Sequence, residues 1–139
     1  MEEENRTYLF KEIDIIQGII SRMARNSFLI KGWTVTLVVV SLLLKGNTTH
    51  TTLAFIPLLT FWFLDSYYLQ QERLFRQLYQ WIITNRPDSF ENLFDMNTDR
   101  FDSEVQSKLR IMFSVTLGWF YGSIIVLVTV YLLFVECVN

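Results

Sequence analysis

The chain has 139 residues, a net charge of −2, one cysteine and an apolar content of 51%, with only 5 Gly and 2 Pro. That length suits one domain. The lone Cys137 excludes an internal disulfide and a zinc site built on cysteine. Balanced charge removes the electrostatic ground for nucleic-acid binding, and scarce turn residues beside many aromatics favour long helices over a sheet.

Residues 1–26 begin with the acidic run MEEEN, the wrong sign for a secretory signal peptide, so membrane insertion would use segments that stay in the mature protein. Leu9, Ile13, Ile16, Ile20 and Met23 then recur at steps of four and three, and Phe10, Ile15 and Ile19 widen that face. Gln17, Ser21, Arg22 and Arg25 lie opposite, which predicts an amphipathic cytoplasmic helix. Its acidic start disfavours lying on anionic lipid. Packing on another cytoplasmic helix, of its own or a neighbouring subunit, is the expectation.

Residues 28–45 form a first candidate span. Ser27, Lys31, Thr34, Val38, Ser41 and Lys45 share one of its faces. Such a stripe in a bilayer must meet protein, water or a headgroup. Two readings stand: Lys31, Thr34, Ser41 and Lys45 line a pore, or both lysines snorkel to opposite interfaces while the hydroxyls bond back to their own helix. His50, in the loop KGNTTHTT, has no second histidine or carboxylate near it in sequence and reads as solvated.

Residues 53–69 form a second span, interrupted by Asp65 and followed by no breaker until about residue 84. One helix of that length measures roughly 45–50 Å, longer than the ~30 Å hydrocarbon core. It is expected to leave the bilayer and project into the cytoplasm. Asp65, Tyr67 and Tyr68 would then meet the inner headgroups. Leu64, Tyr68, Phe75, Leu78 and Ile82 continue as a stripe in need of a partner, beside an i,i+4 pair of Glu72 and Arg76. Asp65, Tyr68, Glu72, Phe75, Arg76 and Tyr79 are the expected residues of a cytoplasmic collar.

Residues 85–110 are a polar connector. Ser89 is placed to cap a short helix, and Ser103 with Gln106 reads as a capping box for the final helix. Asp95, Asn97 and Asp99 imitate the opening of a calcium loop. Arg100 replaces the turn glycine and Gln106 the bidentate glutamate, so turn chemistry explains them better and no metal is expected. Residues 111–135 contain no charge and form the strongest span. Ser114, Gly118 and Gly122 run along it at helical steps and predict close helix packing, within one subunit or between subunits.

All Lys and Arg except Lys45 fall on residues 1–31 and 65–110, which three spans put on one side of the membrane. The positive-inside rule makes that side cytoplasmic, with the N-terminus inside and the C-terminus outside.

Two blocks, DIIQGIISRMARNSFLIKGW (14–33) and FWFLDSYYLQQERLFRQLY (61–79), together resemble small bacterial multi-span membrane proteins found beside anti-phage defence and CRISPR-associated genes. The resemblance covers roughly residues 10–85 and carries no catalytic residues. It implies a bacterial inner membrane and a membrane-disrupting effector, with a soluble defence protein as a partner.

The expected fold is all-α: an integral membrane protein of three transmembrane helices, two extended into the cytoplasm, plus the amphipathic N-terminal helix. The chain carries no phosphate loop, nucleophile elbow or paired histidines, so neither an enzyme nor a cofactor is expected. The leading function is a homo-oligomeric pore or leak in the bilayer. The alternative is a non-conducting anchor that docks a soluble partner on its cytoplasmic helices.

Overall fold

The computed structural model describes residues 2–43, 52–85 and 93–138, so Lys45, His50 and Ser89 lie outside the described residues. The described residues are helical and contain no strand. Helix α1 spans Glu2–Leu43 and α2 spans Phe55–Asn85. A 3-10 turn at Asp99–Phe101 precedes the short α3, Lys108–Met112, and α4 spans Val115–Val138.

The expected amphipathic helix 1–26 and the first span 28–45 are not separate elements. They form one helix of 42 residues, about 60 Å long at 1.5 Å per residue. The reason is local. Residues 19–31 contain no Gly or Pro, and Ser27 uses its hydroxyl on α2 instead of capping a new helix. One stripe faces α2 along the whole length: Glu12, Ile16, Ser27, Ile30, Thr34 and Val38 are all buried.

Helix α2 returns antiparallel and presents Leu58, Trp62, Asp65, Leu74, Leu78 and Ile82 to that stripe. Leu9, Ile13, Ile20, Phe75 and Tyr79 pack around this core, so the N-terminal arm of α1 docks on the lower half of α2 within one chain. Burying side chains of this size contributes about 1.5–3 kcal/mol each.

The connector seals the arm. Phe101 and Val105 are buried in the core, and the Arg100 guanidinium lies 4.1 Å from the Trp81 ring centre. Phe94 adopts a left-handed backbone, φ 64°, and donates its N–H to the Glu12 carboxylate at 3.0 Å. That bond spans 82 residues and ties the connector to α1.

The expected capping box does not form. Helix α3 starts at Lys108 with Ser107 before it and no side-chain cap. Gln106 is engaged by α2 instead: Arg73 Nη1 donates to its Oε1 at 3.2 Å and Gln70 Nε2 to its carbonyl at 3.3 Å. The final helix is also interrupted at Phe113–Ser114, where the Trp62 indole N–H donates to the Met112 carbonyl at 2.8 Å.

Helix α4 runs parallel to α1. Tyr121 meets the middle of the helical hairpin, and the Tyr131 hydroxyl lies 3.4 Å from the Leu42 carbonyl near the far end. Val126, Leu127, Val130, Leu133 and Phe134 of α4 are exposed, as are Phe28, Trp33, Val39 and Val40 of α1. Among the described residues, α1 over Glu3–Leu43 and α4 over Val115–Val135 are long and apolar enough to cross a membrane. Helix α2, with Asp65, Glu72, Arg73 and Arg76, is not among them.

Candidate functional site

Apolar helices supply few places for a carboxylate, and Asp65 on α2 occupies one with no exposed surface. Three side chains from two other helices satisfy it. Lys31 Nζ lies 2.6 Å from Oδ2, and the Tyr121 hydroxyl donates to the same oxygen at 3.1 Å. Ser27 donates to Oδ1 while accepting from Lys31 Nζ at 2.9 Å. The result is a closed ring in which Lys31 reaches Asp65 both directly and through Ser27.

Each helix contributes by simple geometry. Ser27 and Lys31 are one turn apart on α1 and therefore share a face. Thr34 follows on the next turn, fully buried, with its hydroxyl donating to the Ile30 carbonyl at 2.8 Å. Tyr121 reaches down from α4 and is held by stacking on Trp62, with ring centres 5.6 Å apart and planes 11° apart. Phe120 lies edge-on to the same ring at 5.0 Å. Ser66, also buried, donates to the Phe63 carbonyl at 2.7 Å.

The ring is electrically neutral as a unit. Charge is nevertheless held apart from water, and in such surroundings a pair survives only when its remaining hydrogen bonds are made. The Lys31 side chain keeps 23% of its surface exposed, so the ammonium end of the pair is the accessible one. The ring pairs and orients; it presents no nucleophile to a substrate cleft.

This arrangement revises several expectations. Lys31, expected at an interface or in a pore, pairs with Asp65 within the chain, and Thr34 has no exposed surface beside the same ring. Ser41 is half-buried and donates to its own Leu37 carbonyl at 2.7 Å. Asp65 does not meet headgroups or belong to the collar; it is the centre of the ring.

The other residues expected in a collar lie along α2 beside the N-terminal arm of α1. Arg76 bonds Glu72 Oε1 through Nε at 2.9 Å and Nη2 at 2.7 Å. Phe75 packs against the core, and the Tyr79 hydroxyl accepts from Gln17 Nε2 at 3.4 Å. Tyr68 is half-buried with its ring edge against Tyr67. Between the arms opens a cleft of about 310 Å³ lined by Gln17, Ile20, Ser21, Arg76, Tyr79 and Gln80.

Among the described residues no other helix packs closely on Gly118 or Gly122. A Cβ on Gly122 would meet nothing within 4 Å, and one on Gly118 would meet only the Phe113 backbone, at 3.8 Å. Asp95 and Asn97 are spent on local turns, accepting from the Asn97 N–H at 3.0 Å and the Asp99 N–H at 2.8 Å. Among the described residues no cluster of His, Cys, Asp or Glu could hold a metal ion.

The ring as a whole was not foreseen from sequence. A basic residue in one apolar segment and an acidic residue in the next carry the signal, since opposite charges on adjacent antiparallel helices find each other. Tyr121 carries no such signal. No protein-family model, no curated protein and no solved structure matches the chain.

Proposed function

We propose that the protein is a three-span membrane protein of the bacterial inner membrane, with its N-terminus and helical arm in the cytoplasm. It assembles as a homo-oligomer and acts as a gated pore or leak. The observation that carries this reading is the Lys31–Asp65 pair, an ion pair kept between otherwise greasy helices. A charge pair adds little net stability over an apolar substitute, and ionisable residues among membrane helices mark pathways and switches. The ring holds the helices together at rest. The arm formed by α1 and α2 is continuous with the helices bearing Lys31 and Asp65, so a trigger on the arm reaches the ring through rigid backbone.

Ion flux from liposomes tests the reading. Wild-type protein is expected to leak slowly, and Asp65→Asn, which opens the ring, to leak faster. No flux from either protein, once each has assembled in the bilayer, refutes it.

A second reading is a non-conducting anchor that docks a soluble partner on the arm. It is supported by the ring being satisfied within one chain, which leaves an apolar exterior and no need of a second copy. A monomer in mild detergent, silent in the flux assay, favours the anchor; a ring of several subunits favours the leak.

A further inference from the structure

The break between α3 and α4 leaves a groove of about 280 Å³ lined by Phe113, Ser114, Val115, Gly118 and Trp119. Its walls project outward: Phe113 is 72% exposed and Trp119 77%. Its floor is small, because a side chain on Gly118 would meet only backbone at 3.8 Å. Ser114 Oγ is buried in that floor and makes no hydrogen bond.

One free charge lies just before the slot in the chain. Arg110 is four residues ahead of Ser114, is exposed, and has no ion pair among the described residues. Lys108, two positions earlier on α3, is turned to another face, its ammonium 5.2 Å from the Tyr67 ring centre. No Asp or Glu occurs from residue 105 to 135, Asp65 is enclosed, and Glu72 is taken by Arg76. A free arginine just before the groove and aromatic walls along it match the boundary between headgroups and acyl chains.

We infer that this groove seats one anionic phospholipid of the inner leaflet. Its phosphate meets Arg110, and an acyl chain lies between Phe113 and Trp119 over Gly118. The inference rests on the membrane reading above and not on conduction. A second copy of the chain is the competing occupant. Phe113 and Trp119 argue against it, since a close helix crossing needs small residues at the contact.

The test uses the full chain in mild detergent, offered phosphatidylglycerol or phosphatidylcholine, with retained lipid counted by native mass spectrometry. Phosphatidylglycerol is expected to be retained preferentially, by roughly fivefold for the one cation engaged. Arg110→Gln should abolish that preference, and Lys108→Gln should leave it unchanged. Gly118→Leu, which fills the floor, should lower retention of both lipids. Excess glycerol phosphate should displace none, which separates a lipid seat from a phosphate site. Equal retention of the two lipids, or unchanged selectivity in Arg110→Gln, overturns the inference. So does efficient cross-linking between Gly118→Cys chains in bilayers, which would put a second copy in the groove. Lipid retention is read without flux, so it stands or falls separately from the leak.

Discussion

Removing Lys31 alone from the Lys31–Asp65 pair should cost far more than removing both members. With 2.6 Å between Lys31 Nζ and Asp65 Oδ2, the attraction is about 6 kcal/mol at an effective dielectric constant of ~20. Most of it offsets desolvation. Lys31→Met leaves a fully buried carboxylate with only the Ser27 and Tyr121 hydroxyls, a loss of about 3–5 kcal/mol. Asp65→Asn keeps an amide that both hydroxyls can meet, and Lys31, 23% exposed, turns toward water. Its predicted cost is about 1–2 kcal/mol. The double variant has no stranded charge and should lie near Asp65→Asn alone, so the coupling is at least about 2 kcal/mol. Reversible unfolding in mixed micelles, followed by tryptophan fluorescence for wild type, both singles and the double, measures it. Additivity within about 0.5 kcal/mol, or a Lys31→Met variant as stable as wild type, would refute the reasoning.

Three further outcomes are predicted. Tyr121→Phe should lose about 1–2 kcal/mol, because its hydroxyl meets Asp65 at 3.1 Å while the stack on Trp62 remains; the same unfolding assay reads it. Leu78→Ala, at a site with no exposed surface, should cost about 2–5 kcal/mol and speed amide exchange in residues 9–20 more than in α4, since the arm undocks first. Arg100→Ala should cost no more than about 1 kcal/mol, as its guanidinium rests on Trp81 at an exposed site. A loss of several kcal/mol there would show that Arg100 holds the connector by more than this contact.

Helical periodicity made the arm legible. The stripes through Ile16 and Ile20 on α1 and through Phe75, Leu78 and Ile82 on α2 are read from spacing alone, and their side chains pack on one another. The fusion of two expected helices into α1 was less legible. Asn26 and Ser27 look like a boundary, because short polar residues favour caps, and only the tertiary partner Asp65 explains why the helix continues. Gln106 misled for the same reason: a residue suited to a capping box is drawn away by Arg73. The ring was half legible. Lys31 and Asp65 each stand out in their apolar segments, but sequence alone assigns each to water or headgroups, because it gives the periodicity of single helices and not the register between them. Tyr121, an aromatic residue in an apolar run, gives no hint that its hydroxyl is needed.

On the three-span proposal, the pairing of Lys31 with Asp65 has a consequence for how the chain would enter lipid. Carried alone into the centre of a bilayer, an aspartate adds about 2.5–3.5 kcal/mol to the cost of insertion, and a lysine adds a similar amount. Helix α2 is the less greasy of the two partners, so in the three-span topology it is the segment that hesitates. Helix α1, made first, waits with its ammonium ready. Delivered together as a hairpin, the two segments present one neutral dipole in place of two bare ions, which makes the second crossing contingent on the first. A ribosome-bound intermediate in which α1 has emerged but Asp65 has not would hold α1 with its lysine unmatched, and commitment of the hairpin would come only once Asp65 had emerged.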